Sequence, residues 1–126
     1  MAEQAHDPRR TAAEFVWSPE QMIARLGGDE DLARQLVTLF IGECPRMLAQ
    51  VRESVAGGSA DLIRRSAHAF KGSVSNFTTE VPTVTAFELE CLGRDDRAAD
   101  APAVLARLER EVASLLEQLR AFDTAR

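Results

Sequence analysis

Lysine is almost absent from this chain. One lysine, Lys71, stands against fourteen arginines in 126 residues. Tyrosine is missing altogether and the aromatics amount to 6% of the chain, a composition that fits a helix-rich protein better than a β-sandwich. A formal net charge of -5, with Arg9-Arg10 and Arg64-Arg65 as the only adjacent basic pairs, leaves no basic stripe, so no nucleic-acid partner is expected. The two cysteines, Cys44 and Cys91, match no metal-ligand spacing and read as buried or half-buried thiols, so no metal site is expected. No apolar run approaches the roughly 20 residues that cross a bilayer. The opening stretch lacks the charged-then-apolar order of a signal peptide, and a cytoplasmic protein without membrane contact is expected. Neither Gly-x4-Gly-Lys-Ser/Thr nor Gly-x-Gly-x-x-Gly occurs, which excludes the phosphate-cradling loops of nucleotide-binding enzymes.

What is present is helical patterning over a length that suits one domain with a real core. Residues 1–13 are polar and alanine-rich without periodicity and read as a mobile tail, with His6 inert within it; residues 14–126 read as a single domain. Phe15, Val16 and Trp17 form a short apolar patch. Ser18-Pro19-Glu20-Gln21 then opens a short helix that stops at Gly27-Gly28. Asp29 caps a second helix whose stripe is Leu32, Leu36, Leu39, Phe40, Met47, Leu48, Val51 and Val55, with a kink or break expected near Gly42 because of Pro45. Gly57-Gly58 closes it and Ser59 caps the next. A helix over about 81–95 follows Pro82 and is expected to end at Gly93 and Asp95-Asp96. The last helix, about 101–123, spaces Leu105, Leu108, Val112, Leu115, Leu119 and Phe122 by threes and fours, the seam of an antiparallel bundle. The expected fold is all-α, an up-down four-helix bundle with an additional short N-terminal helix. Its internal seam leaves no apolar stripe over, and a monomer is expected.

The segment 60–78 carries the chemistry. At about 100° per residue, Ile63, Ala67, Phe70, Val74 and Phe77 share one side of a helix, while Arg64, His68, Lys71, Gly72 and Ser75 share the other. Histidine and lysine three apart stand side by side on that face. A neutral imidazole is nucleophilic near pH 7, and an adjacent ammonium stabilises the charge of a transferring phosphoryl group. Gly72 and Ser75 leave room for a docking partner, and Arg64 is a candidate contact for an acidic one. The segment's one acid, Asp61, lies about two turns from His68, so no base is expected beside the histidine to activate water. Glu88 and Glu90, two apart, face different directions and do not read as a catalytic pair. A di-iron Glu-x-x-His motif is excluded because Arg65 precedes His68 by three.

Ala67-His68-Ala69-Phe70-Lys71-Gly72-Ser73 resembles the His-x-x-Lys-Gly-Ser/Ala signature of histidine-containing phosphotransfer (HPt) domains. The resemblance extends through Leu26-Gly27-Gly28-Asp29, Leu39 to Pro45 and Ala86-Phe87-Glu88-Leu89-Glu90, about residues 18–122 in all. It implies that His68 is the phosphoacceptor, Lys71 its charge partner and Gly72 the gap that admits a receiver domain. Ser73, about 140° from His68 on the wheel, is given a local structural role. Thr78 stands where the family usually has glycine. The implied function is a phosphorelay intermediate without kinase or phosphatase activity of its own. Its partners would be a hybrid sensor histidine kinase and the receiver domain of a response regulator; this chain would bind no cofactor, and Mg²⁺ would sit in the partner receiver. The rival readings are a helical adaptor without phosphoryl transfer and a histidine-kinase dimerisation module; the missing ATP-binding domain counts against the second.

Overall fold

Three side chains start three helices in the same way. Ser18 Oγ accepts from the Gln21 N–H at 3.1 Å, Asp29 Oδ1 from Leu32 at 3.0 Å and Ser59 Oγ from Leu62 at 3.3 Å. Each bond satisfies a donor that a helix start otherwise leaves orphaned. In the computed structural model, which describes residues 15–125, these caps open α1 (Pro19–Arg25), α2 (Glu30–Gly57) and α3 (Ala60–Val74). α4 (Thr83–Arg94), a 3₁₀ turn (Ala98–Asp100) and α5 (Ala101–Thr124) complete the chain. The expected tail, residues 1–13 with His6, lies outside the described residues. Gly58, at φ 70°, ends α2 in the left-handed conformation that glycine adopts at least cost, and its N–H bonds the Val55 carbonyl at 3.1 Å.

Each long helix packs on two others: α2 on α3 and α5, α4 on α3 and α5. Short connections make sequential neighbours antiparallel, so the ring is the expected up-down four-helix bundle, with α1 lying against α2. Among the described residues there is no strand, and no helix is long and apolar enough to cross a membrane. The expected faces of α3 and α5 are the buried ones: Ile63, Ala67, Phe70, Val74 and Phe77 meet Leu105, Leu108, Val112, Leu115 and Leu119 in one core. Cys44 is buried and Cys91 half-buried. Burial pushes the Cys44 thiol up to about 11, against a small opposing effect of Arg120, and so keeps it protonated and unreactive.

Two expectations about α2 are corrected in part. Of its expected stripe Phe40, Val51 and Val55 are buried and Leu36, Met47 and Leu48 pack against the core, but Leu39 is 61% exposed and Leu32 also faces out, while Ala33, Val37 and Cys44 are buried instead. Large side chains suggested the wrong edge, because small Ala33 fills the tight inner position. Of the kink or break expected near Gly42 because of Pro45, the break is absent: α2 runs unbroken from Glu30 to Gly57, and the one lost ladder bond is outweighed by burial on both sides of it. α4 ends where expected, at Arg94 with Asp95 as its C-cap, and Gly93 is its buried penultimate residue. A Cβ there would stand 2.5 Å from the Arg64 nitrogen and 2.6 Å from the Ala60 carbonyl oxygen, so only glycine lets the α3 and α4 backbones approach this closely.

The apolar lead into α1 is stapled to the bundle. Phe15 and Trp17 turn in while Val16 between them faces solvent. The Trp17 indole N–H donates to the Phe77 carbonyl at 2.8 Å, and its ring meets Phe122 edge-on. Gln118 of α5 accepts from the Trp17 backbone N–H at 2.7 Å and donates to the Phe15 carbonyl at 3.0 Å. Thr78, the residue that departs from the family pattern, is buried in the α3–α4 turn, where its Oγ1 accepts from Glu80 N–H and its carbonyl from the Thr83 hydroxyl.

Gly93→Ala should destabilise the protein by about 1–3 kcal/mol through overpacking against backbone. Gly72→Ala, where nothing lies within 4 Å of the added methyl, should be neutral or stabilising by up to about 1 kcal/mol. Thermal or urea unfolding of the two variants checks the contrast; equal effects would refute the close approach.

Candidate functional site

The Gly93 contact sets the register of α3 against α4, and that register builds the site. With Gly93 beside Ala60 and Arg64, one turn along each antiparallel helix brings Glu90 opposite His68, and a further turn brings Phe87 opposite Lys71. His68 Nδ1 lies 3.0 Å from Glu90 Oε2, and Lys71 Nζ lies 3.0 Å from Glu90 Oε1. The ammonium also stands 4.7 Å from the centroid of the Phe87 ring. The histidine side chain is 66% exposed, the lysine 26% and the glutamate 19%.

Chemistry follows from which atoms face which. An ionised carboxylate only accepts hydrogen bonds, so Nδ1, which faces it, carries the imidazole proton. The neutral tautomer then leaves a lone pair on Nε2, on the far side of the ring from Glu90. Lys71 meets Oε1 as a charge pair outside hydrogen-bonding angles, and Oε1 makes no hydrogen bond. Burial pushes the Glu90 carboxyl up; the Lys71 ammonium and the His68 ring, each 3.0 Å from one of its oxygens, outweigh it and hold the group below the usual carboxylate range.

The other residues named from the sequence lie on the same side of α3. Gly72 is exposed, with open space where a side chain would start. Ser75 caps the end of α3, its hydroxyl donating to the Gly72 carbonyl at 2.9 Å. Arg64, one turn before His68, is exposed and paired with Asp61 at 2.9 Å. Ser73 points instead toward α2, where its hydroxyl meets Met47 Sδ at 3.3 Å, in keeping with a local structural role.

Sequence reasoning missed Glu90 as a member of the site. Glu88 and Glu90 do diverge as expected, Glu88 pairing with Arg107 of α5 while Glu90 turns to α3. The expectation that no acid stands near the histidine is corrected, because it considered one helix only. A carboxylate is present, with one oxygen facing His68 and the other facing Lys71. Stepping back from the α3–α4 turn along both helices would have found it.

A family model for the Hpt domain matches residues 35–122, a span that contains His68, Lys71 and Glu90. The chain belongs to the Hpt domain family. The fold is similar to that of a crystal structure of histidine-containing phosphotransfer protein B (HptB) from Pseudomonas aeruginosa PAO1. The TM-score is 0.76 and the identity 24%, over 85% of this chain and 93% of that one. No match is found among curated proteins. Membership makes this a phosphotransfer protein of two-component signalling.

In this Hpt domain the Glu90 carboxylate couples the Lys71 ammonium to the His68 imidazole, and its titration is their reporter. A carboxyl held low in the folded state stabilises the fold above its unfolded value of about 4.3, and that stabilisation is lost as pH falls through the folded value. Glu90 should therefore titrate below an ordinary glutamate in a carboxyl ¹³C NMR experiment, and Lys71→Ala should move it upward. An unmoved Glu90 in that variant would show that the ammonium does not act on it.

Proposed function

We propose that this chain is an intermediate of a multistep His–Asp phosphorelay. Nε2 of His68 attacks the phosphorus of an aspartyl phosphate on a receiver domain. An N–P bond forms as the P–O bond to the aspartate breaks, and the carboxylate departs with the bonding pair. The reverse exchange delivers the phosphoryl group to the aspartate of a response regulator. The donor receiver would belong to a hybrid sensor histidine kinase.

One observation carries this reading: an exposed His68 with Nδ1 engaged by Glu90, so that Nε2 is left free on a helix face that also carries an ammonium and an open glycine. Lys71 would pair with the phosphoryl oxygens as charge gathers on them. Gly72 would admit the receiver's loops over the helix, with Arg64 and Ser75 at the margin of the contact. Glu90 supports a carrier rather than a phosphatase, since each of its oxygens already faces a cationic or hydrogen-bonding neighbour. Mg²⁺ and the acidic pocket that holds it would come with the receiver, with no cofactor bound by this chain. A monomer in the cytoplasm, docking through a small transient interface, fits the buried α5 seam.

Incubation with a phosphorylated receiver domain should give acid-labile, base-stable label on the wild type and none on His68→Gln. Label that survives the substitution would overturn the assignment. Lys71→Ala should slow transfer on the order of ten-fold, less than the hundred-fold or more lost with a fully water-excluded donor. Gly72→Gln should abolish transfer from the receiver while circular dichroism and melting temperature remain those of the wild type; rapid transfer by that variant would show that docking does not pass over Gly72.

A further inference from the structure

We infer that Phe87 is a positioning residue for Lys71, an aromatic rest that fixes the ammonium against Glu90, the carboxylate it shares with His68, without using any of its N–H donors. This rests on the phosphotransfer reading above. Phe87 lies one turn before Glu90 on α4 and is 47% exposed. The α3–α4 register puts the ring 4.7 Å from Lys71 Nζ, within the range of a cation–π contact.

The ammonium therefore has two neighbours of different kinds. Glu90 attracts it as a charge, 3.0 Å away but outside hydrogen-bonding angles, so that Oε1 remains without a hydrogen bond. Phe87 attracts it through the negative face of its ring, an interaction that needs no particular N–H direction. Lys71 is thus held between a carboxylate and a ring that takes up none of its N–H donors. When His68 acquires a phosphoryl group, the ammonium can turn its donors to the phosphoryl oxygens without leaving the ring. A leucine at this position would provide similar bulk but no quadrupole. The lysine would then rest on Glu90 alone, with more freedom to lose on pairing with phosphate.

The test uses phosphoramidate, a small phosphoryl donor that phosphorylates histidine without a receiver, so that docking contacts do not enter. Phe87→Leu should lower the rate of His68 phosphorylation roughly two- to five-fold, the size expected of a partly exposed cation–π contact. Phe87→Tyr should retain the wild-type rate. In a Lys71→Ala background Phe87→Leu should have no further effect, the mark of two residues acting as one. An equal loss in that background, or a wild-type rate for Phe87→Leu, would overturn the inference. The Lys71 ε-methylene resonances should also lose a ring-current upfield shift in Phe87→Leu; their staying in place would refute the contact itself. Failure of a phosphorylated receiver to label wild-type His68 would instead sink the relay reading, leaving the rate and shift comparisons to decide the role of Phe87.

Discussion

Everything functional in this molecule depends on how closely α3 and α4 approach at Gly93. Backbone meets backbone there, with Arg64 and Ala60 atoms where a side chain would begin. A contact between main chains cannot slide or repack as side chains do, so it fixes both the separation and the register of the two helices. One helical turn then carries that register to His68 and Glu90, and another to Lys71 and Phe87. The placement of an exposed histidine is thus decided by a buried residue with no side chain at all. The site inherits rigidity from the core although its histidine stands mostly in solvent.

The electrostatics are those of a three-centre arrangement in which the acid is the most shielded member. Glu90 is largely buried yet kept ionised, because a lysine and a histidine face its two oxygens. Glu90 therefore acts on the imidazole's tautomer and on the lysine's position together. Most other ion pairs here lie on exposed helix faces, such as Arg46 with Glu43 and Arg97 with Asp100, where solvent screening leaves them little influence on stability. The pairing at Glu90 differs in that burial limits the screening and geometry commits each oxygen to one partner.

Much of this was legible in the chain. Ser18, Asp29 and Ser59 announced their helices because a cap is a local interaction, written within three residues. The faces of α3 and α5 were legible because large apolar residues mark them continuously. The α2 face was misjudged because Leu39 outweighs Ala33 on any hydrophobicity scale, while the packed interior at that point selects for smallness. Glu90 and Gly93 were the harder cases. What they do is defined by partners 19 to 33 residues away, and no period within α4 reveals which of its faces meets α3. His68 and Lys71 stood out because both lie on one helix, where spacing alone brings them together.

Tyrosine is absent and Trp17 is the sole tryptophan. The indole fluorescence of the molecule therefore arises from a single ring, clasped between the Phe77 carbonyl at the end of α3 and the edge of Phe122 on α5. That chromophore sits where the lead, the helix bearing the histidine and the final helix converge. A change in its emission would report motion at this junction alone, giving the bundle a native optical gauge at one end.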